Sequence, residues 1–96
     1  MTAGGTVTVI LSGDLDAGNA AQFQARLTEI LAGQPQRLIF ELSQVSFIDC
    51  AAARLIARTA ARLPAGRKPV LRGAPAIARR VLLITGLDSM CEFSEA

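Results

Sequence analysis

The sequence predicts an α/β domain with a largely parallel sheet. Three observations carry this. Runs rich in β-branched and apolar residues alternate along the chain with stretches whose apolar residues recur every three to four positions. Gly and Pro punctuate the joints between them. Each helical stretch separates two strand-like runs, the pattern of right-handed crossovers between parallel strands. At 96 residues the chain is long enough for one domain, and residues 1–96 are read as one, with 1–5 expected to be disordered.

The run from Thr6 to Ser12 reads as the first strand, and Gly13, Asp14, Leu15 and Asp16 are expected to end it. Asp16 is placed to cap a helix from about Ala17 to Ala32, with Ala20, Phe23, Leu27, Ile30 and Leu31 on one face. Gly33 stops that helix and Pro35 prevents its continuation. Leu38 to Leu42 is a short apolar run that fits a strand covered on both faces. Ser43 to Ile48 reads as a connector to Asp49. A second helix is expected from Cys50 to about Leu63. Leu55, Ile56, Thr59, Ala60 and Leu63 fall on one side, and Arg54, Arg58 and Arg62 on the other. Pro64 to Gly66 ends it, and Pro69 to Arg72 reads as a strand. Pro75 suits the first position of a third helix, with Ile77, Val81 and Ile84 as its inner edge and Arg79 and Arg80 outward. Gly86 is a left-handed stop with Leu87 as its apolar contact, and Cys91 to Phe93 reads as a short last strand.

Composition removes several classes of function. The chain has no histidine, which excludes a His-based zinc site and a Ser-His-Asp triad. No apolar run approaches the roughly 20 residues of a membrane span. The first residues carry no basic segment or signal core, and two cysteines do not pattern as a disulfide framework or metal clip. A reducing, cytoplasmic compartment is expected. No glycine-rich phosphate loop is present, so no cofactor is expected. The net charge of +2 hides an asymmetry: all eight basic residues of the second half lie between Arg54 and Arg80, with no acid among them. That stretch lacks aromatic residues to stack on bases, so nucleic acid is not the expected partner. A protein-binding surface and a solvated pair of helix faces both account for it.

Asp49 and Cys50 fall where a strand side meets a helix. Asp49 is expected to accept amide hydrogen bonds as the N-cap. Cys50 lies at the positive end of the helix dipole, which favours an anion, while the neighbouring carboxylate opposes one. A reactive thiol and a small, half-buried packing residue are the two readings, and packing is favoured. Asp14 and Asp16 read as turn and cap residues rather than as an acid–base pair.

Three segments together resemble the STAS domain, typified by bacterial anti-sigma-factor antagonists. They are the run Val7 to Asp16, the run Leu42 to Asp49, and Thr85-Gly86-Leu87-Asp88. Their order and spacing match the family's over residues 6–93, although the family's usual first strand and last helix are not evident. The resemblance implies a small α/β layer: a mixed, mostly parallel sheet of about four strands with three helices packed on one side. It also implies a non-enzymatic partner switch. In such antagonists the unmodified domain binds an anti-sigma factor that is also a serine kinase, and phosphorylation of a serine after the motif aspartate breaks the complex.

Here the family's Asp-Ser-Ser-Gly is Asp49-Cys50-Ala51-Ala52. The acceptor position is Cys50, so standard phosphorylation at this site is not possible. The chain is then an antagonist that phosphate does not switch off, one switched by oxidation of Cys50, or a STAS-like subunit of a transporter ATPase or larger signalling assembly. The first and third readings are preferred. Carried over by position, the partner surface comprises Asp14, Asp16, Asp49, Cys50 and Ala51, with Arg54 and Arg58 as a cationic rim. No membrane insertion is expected, and the expected state is a monomer or weak dimer. Ser43, Ser46 and Thr59 remain as other hydroxyls, the last two read as structural.

Overall fold

A computed structural model of the chain describes residues 5–64 and 67–95. Residues 1–4 of the start expected to be disordered lie outside this range. Gly5 lies inside it, and its carbonyl accepts the Gln36 N–H at 3.1 Å.

Four strands, β1 (Thr6–Leu15), β2 (Arg37–Ile48), β3 (Val70–Arg72) and β4 (Glu92–Ser94), pair in chain order β1-β2-β3-β4. Every described pairing is parallel. Helices α1 (Ala20–Ala32), α2 (Cys50–Arg62) and α3 (Ala76–Ile84) connect them, and a 3₁₀ turn, Leu87–Ser89, precedes β4. Sequential parallel order with crossovers of one hand puts all three helices on the same face of the sheet. α2 accordingly lies between α1 and α3 and touches both.

The core is the layer between sheet and helices. Val9, Leu11, Phe40, Leu42 and Leu71 from the strands meet Phe23, Leu27, Ile56 and Leu82 from the helices, all buried. A fully buried side chain of this size contributes about 1.5–3 kcal/mol. β2 alternates: Leu38, Phe40 and Leu42 are buried, while Ile39 and Glu41 between them are only half-buried. The strand is thus not covered on both faces, because the helices occupy one side.

The strand boundaries differ most from expectation. β1 runs on to Leu15, and β2 takes in the expected connector Ser43 to Ile48. The cause is two register shifts. While β1 steps from Ile10 to Ser12, β2 steps from Glu41 to Gln44; while β1 steps from Gly13 to Asp14, β2 steps from Val45 to Phe47. Each extra residue in β2 re-phases its pleat. The buried positions therefore run Leu42, Val45, Ile48 at intervals of three, a spacing that hides a strand. Gly13 takes φ +73 at this irregularity, a conformation glycine adopts without a side-chain penalty.

Helix α1 begins at Ala20 rather than Ala17, because residues 16–19 form a turn. Its end at Ala32 is as expected, although the left-handed residue there is Gln34, not Gly33. α2 ends at Arg62, since Pro64 holds Leu63 in an extended conformation. The expected inner edge of α3 is corrected. Ala78 and Leu82 are its buried residues, whereas Ile77 and Ile84 are 59% and 75% exposed. Pro75 precedes α3 as its cap residue. Gly86 has φ +81 and Leu87 beside it is fully buried, as the sequence predicts.

Candidate functional site

The ends of β1 and β2 lie side by side, with Leu15 paired to Ile48 and Asp14 to Phe47. This brings the turn after β1 against the start of α2. Asp49 joins them. It follows the last residue of β2 with an extended backbone, and its Oδ1 accepts the Ala52 N–H at 2.9 Å, the N-cap bond expected from sequence. Its Oδ2 accepts the Ala17 N–H at 3.0 Å. Its own N–H donates to the Leu15 carbonyl at 3.0 Å. Asp49 is therefore the clasp of the corner as well as the helix cap.

Asp16 does not cap α1. Its Oδ1 accepts the Gly18 N–H at 2.9 Å, and its N–H donates to Asn19 Oδ1 at 3.0 Å. The Asn19 amide in turn donates to the Asp14 carbonyl at 2.6 Å. These local bonds offer the backbone a turn in place of a first helical turn, which is why α1 starts late. Asp14 is exposed at the end of β1.

Cys50 is the first residue of α2 and is exposed, which corrects the half-buried packing position favoured from sequence: the helix start projects it away from the sheet-facing side that Ala52 and Ala53 bury. Ala51 is half-buried and lines a cleft of about 200 Å³ with Ala20, Gln24, Arg54 and Arg58. Arg54 and Arg58 are exposed, one and two turns beyond Cys50. The fold thus gathers Asp14, Asp16, Asp49, Cys50 and Ala51 at one corner, with Arg54 and Arg58 leading away from it. Asn19 and Phe47 belong to this corner and escaped the sequence reading. Asn19 had a usable signal, an amide three residues after Asp16. Phe47, 42% exposed, faces outward only because of the register shift before it.

The remaining candidates separate cleanly. Thr59 is buried and its hydroxyl donates to the Leu55 carbonyl at 2.9 Å, so it serves the helix. Ser43 and Ser46 are exposed on β2. Cys91 is buried, and desolvation pushes its thiol up to about 12, against a smaller opposing pull from Lys68. Among the described residues, no group of three or more Asp, Glu or Cys side chains could hold a metal ion, and no helix is long and apolar enough to cross a membrane.

The architecture is that of a small parallel α/β module with its distinctive corner at the strand ends. A family model for the STAS domain matches residues 2–96, and the chain belongs to that family. An anti-sigma-F factor antagonist of Mycobacterium tuberculosis, RsfB, is 25% identical over 84 residues, covering 88% of this chain and 69% of that protein. The crystal structure of an anti-sigma factor antagonist from Mycobacterium paratuberculosis superposes with a TM-score of 0.83 at 26% identity, over 95% of this chain and 78% of the other. The unphosphorylated form of the anti-sigma factor antagonist SpoIIAA gives 0.78 at 25% identity, over 98% and 83%.

Proposed function

We propose that this chain is a cytoplasmic, non-enzymatic regulator of the anti-sigma-antagonist type that binds an anti-sigma factor of the serine-kinase class and is not released by phosphorylation at position 50. Family membership and the two anti-sigma antagonist structures support the binding role. The observation that carries the second half is Cys50 itself, exposed as the first residue of α2 directly after the Asp49 clasp. A kinase that transfers phosphate to a hydroxyl finds none there. The docking surface comprises Asp14, Asp16, Asp49, Cys50 and Ala51, with Arg54 and Arg58 as its rim. Burial of such a corner against a partner explains how phosphate would act in a serine-bearing relative: nearly two negative charges would be set beside the motif aspartate in a surface packed against a partner.

The test is affinity capture from lysate with the wild-type chain and Cys50→Ser, followed by incubation with ATP. The expected result is that both capture the same kinase, that only Cys50→Ser becomes phosphorylated, and that only it dissociates. Charge reversal at Arg54 and Arg58 should weaken the purified complex and leave the fold intact. Capture of a transporter ATPase in place of a kinase, or unchanged affinity after charge reversal, would overturn the reading.

A further inference from the structure

Between α1 and α2, on the face turned away from the sheet, runs a trough made of three adjoining cavities. The first is the cleft of about 200 Å³ beside Ala51. A constriction of about 60 Å³ follows, sharing Gln24, Leu55 and Arg58 with the first. A wider cavity of about 560 Å³ succeeds it, sharing Thr28, Leu31 and Arg62 with the constriction. The two walls differ in character. On the α1 side stand Ala20, Gln24 and Thr28, four residues apart and uncharged. On the α2 side stand Arg54, Arg58 and Arg62, also four apart and exposed. The ion pairs among the described residues are Arg72 with Glu41 and Arg79 with Glu95, so none of these three arginines is paired there. The floor is apolar and narrow: Leu31 is half-buried and open to the trough, and Leu27 and Leu55 are buried beneath it.

We infer that this trough is a docking site for an acidic amphipathic helix of a partner protein, with Asp or Glu at four-residue steps along the arginine wall and an apolar stripe beside them on the floor. The inference goes beyond the function proposed above and does not need the partner to be an anti-sigma factor. Three arguments select this occupant. The walls are i±4 ridges, which receive the i±4 ridge of another helix. An extended strand laid here would find its N–H and C=O groups unpaired, since α1 and α2 satisfy their own backbones, whereas a helix brings its hydrogen bonds with it. Nucleic acid would set phosphates against leucines and find no aromatic side chain for stacking. α2 is 13 residues long, about 20 Å, so a helix of three to four turns fills the trough.

The test titrates the full ¹⁵N-labelled chain with a capped 14-residue helical peptide carrying Glu every fourth residue beside a Leu stripe. A scrambled peptide of the same composition and a Lys-for-Glu version serve as comparisons. The expected result is amide shift changes confined to the residues lining the trough on α1 and α2, from Ala20 and Arg54 at one end to Leu31 and Arg62 at the other. Affinity for the scrambled peptide should be about tenfold weaker, and Arg62→Glu should weaken binding about tenfold while Arg80→Glu has no effect. Arg62→Gln, expected to weaken binding less, replaces Arg62→Glu if reversal unfolds the chain. Equal binding of the scrambled peptide, changes spread equally to Arg80, no binding, or the same trough changes with a DNA duplex or anionic vesicles at lower concentration would each overturn the inference.

Discussion

Asp49 accepts the N–H of Ala17 across a sequence separation of 32 residues, with the carboxylate oxygen not used to cap α2. One side chain thus fixes both the helix start and the turn facing it. Asp49→Ala should cost about 1–2 kcal/mol, read by urea unfolding. Asp49→Asn keeps a single acceptor oxygen. It should cost less and should speed hydrogen exchange at Ala17 or Ala52, but not both.

Glu41 and Arg72 are register partners on the sheet face opposite the helices, joined by a 2.5 Å ion pair. Hydrogen bonding from Ser43 first, then from Arg72, holds the Glu41 carboxyl below its ordinary range. A carboxyl depressed in the folded state contributes stability that is present above its unfolded pKa and lost as pH falls through the folded value. Acid titration of stability should therefore be steeper below pH 4.5 in the wild type than in Glu41→Gln. Parallel curves would refute the pairing.

The two cysteines should differ in reactivity. Cys50 is exposed and Cys91 is buried, with its thiol pushed up to about 12. A thiol reagent should label one site in the native protein and both in denaturant, and peptide mapping should place the native label on Cys50.

The phase of α3 can be checked by stability alone. Leu82→Ala should cost about 2–5 kcal/mol because Leu82 is fully buried. Ile77→Ala and Ile84→Ala should each stay within about 0.5 kcal/mol. The opposite ranking would restore the inner edge suggested by sequence.

Ala52 lies in regular helix, buried under the Asp49 clasp. Ala52→Gly should lower stability by about 0.5–1 kcal/mol or more, since it also removes a buried methyl. Hydrogen exchange at residues 49–53 should quicken correspondingly.

The local chemistry that sequence expresses directly was legible. The Asp49 cap, the α2 faces and the Gly86 stop each depend on one residue type at one place, and each stands where the pattern put it. What escaped depends on long-range pairing. Whether Ser43 to Ile48 is a strand is decided by β1, whose register inserts the extra residues that turn Val45 inward and Phe47 outward. Asp16 could have capped a helix, and only the competing bonds of Asn19 and Asp14 show why it does not. On α3 the apolar residues nearly encircle the helix, so periodicity did not select between Ile77 and Ala78.

The chain-order sheet has a consequence for synthesis. No strand can pair until a whole crossover helix has followed its predecessor, so nothing closes before the segment after Arg37 leaves the ribosome. From there the pieces arrive in the order in which they join. The long β1–β2 pair comes first, and the three-residue β3 and β4 are added last at one margin. That margin, built from the fewest residues, is where the folded domain should first come apart, leaving the Asp49 corner closed while the far edge opens.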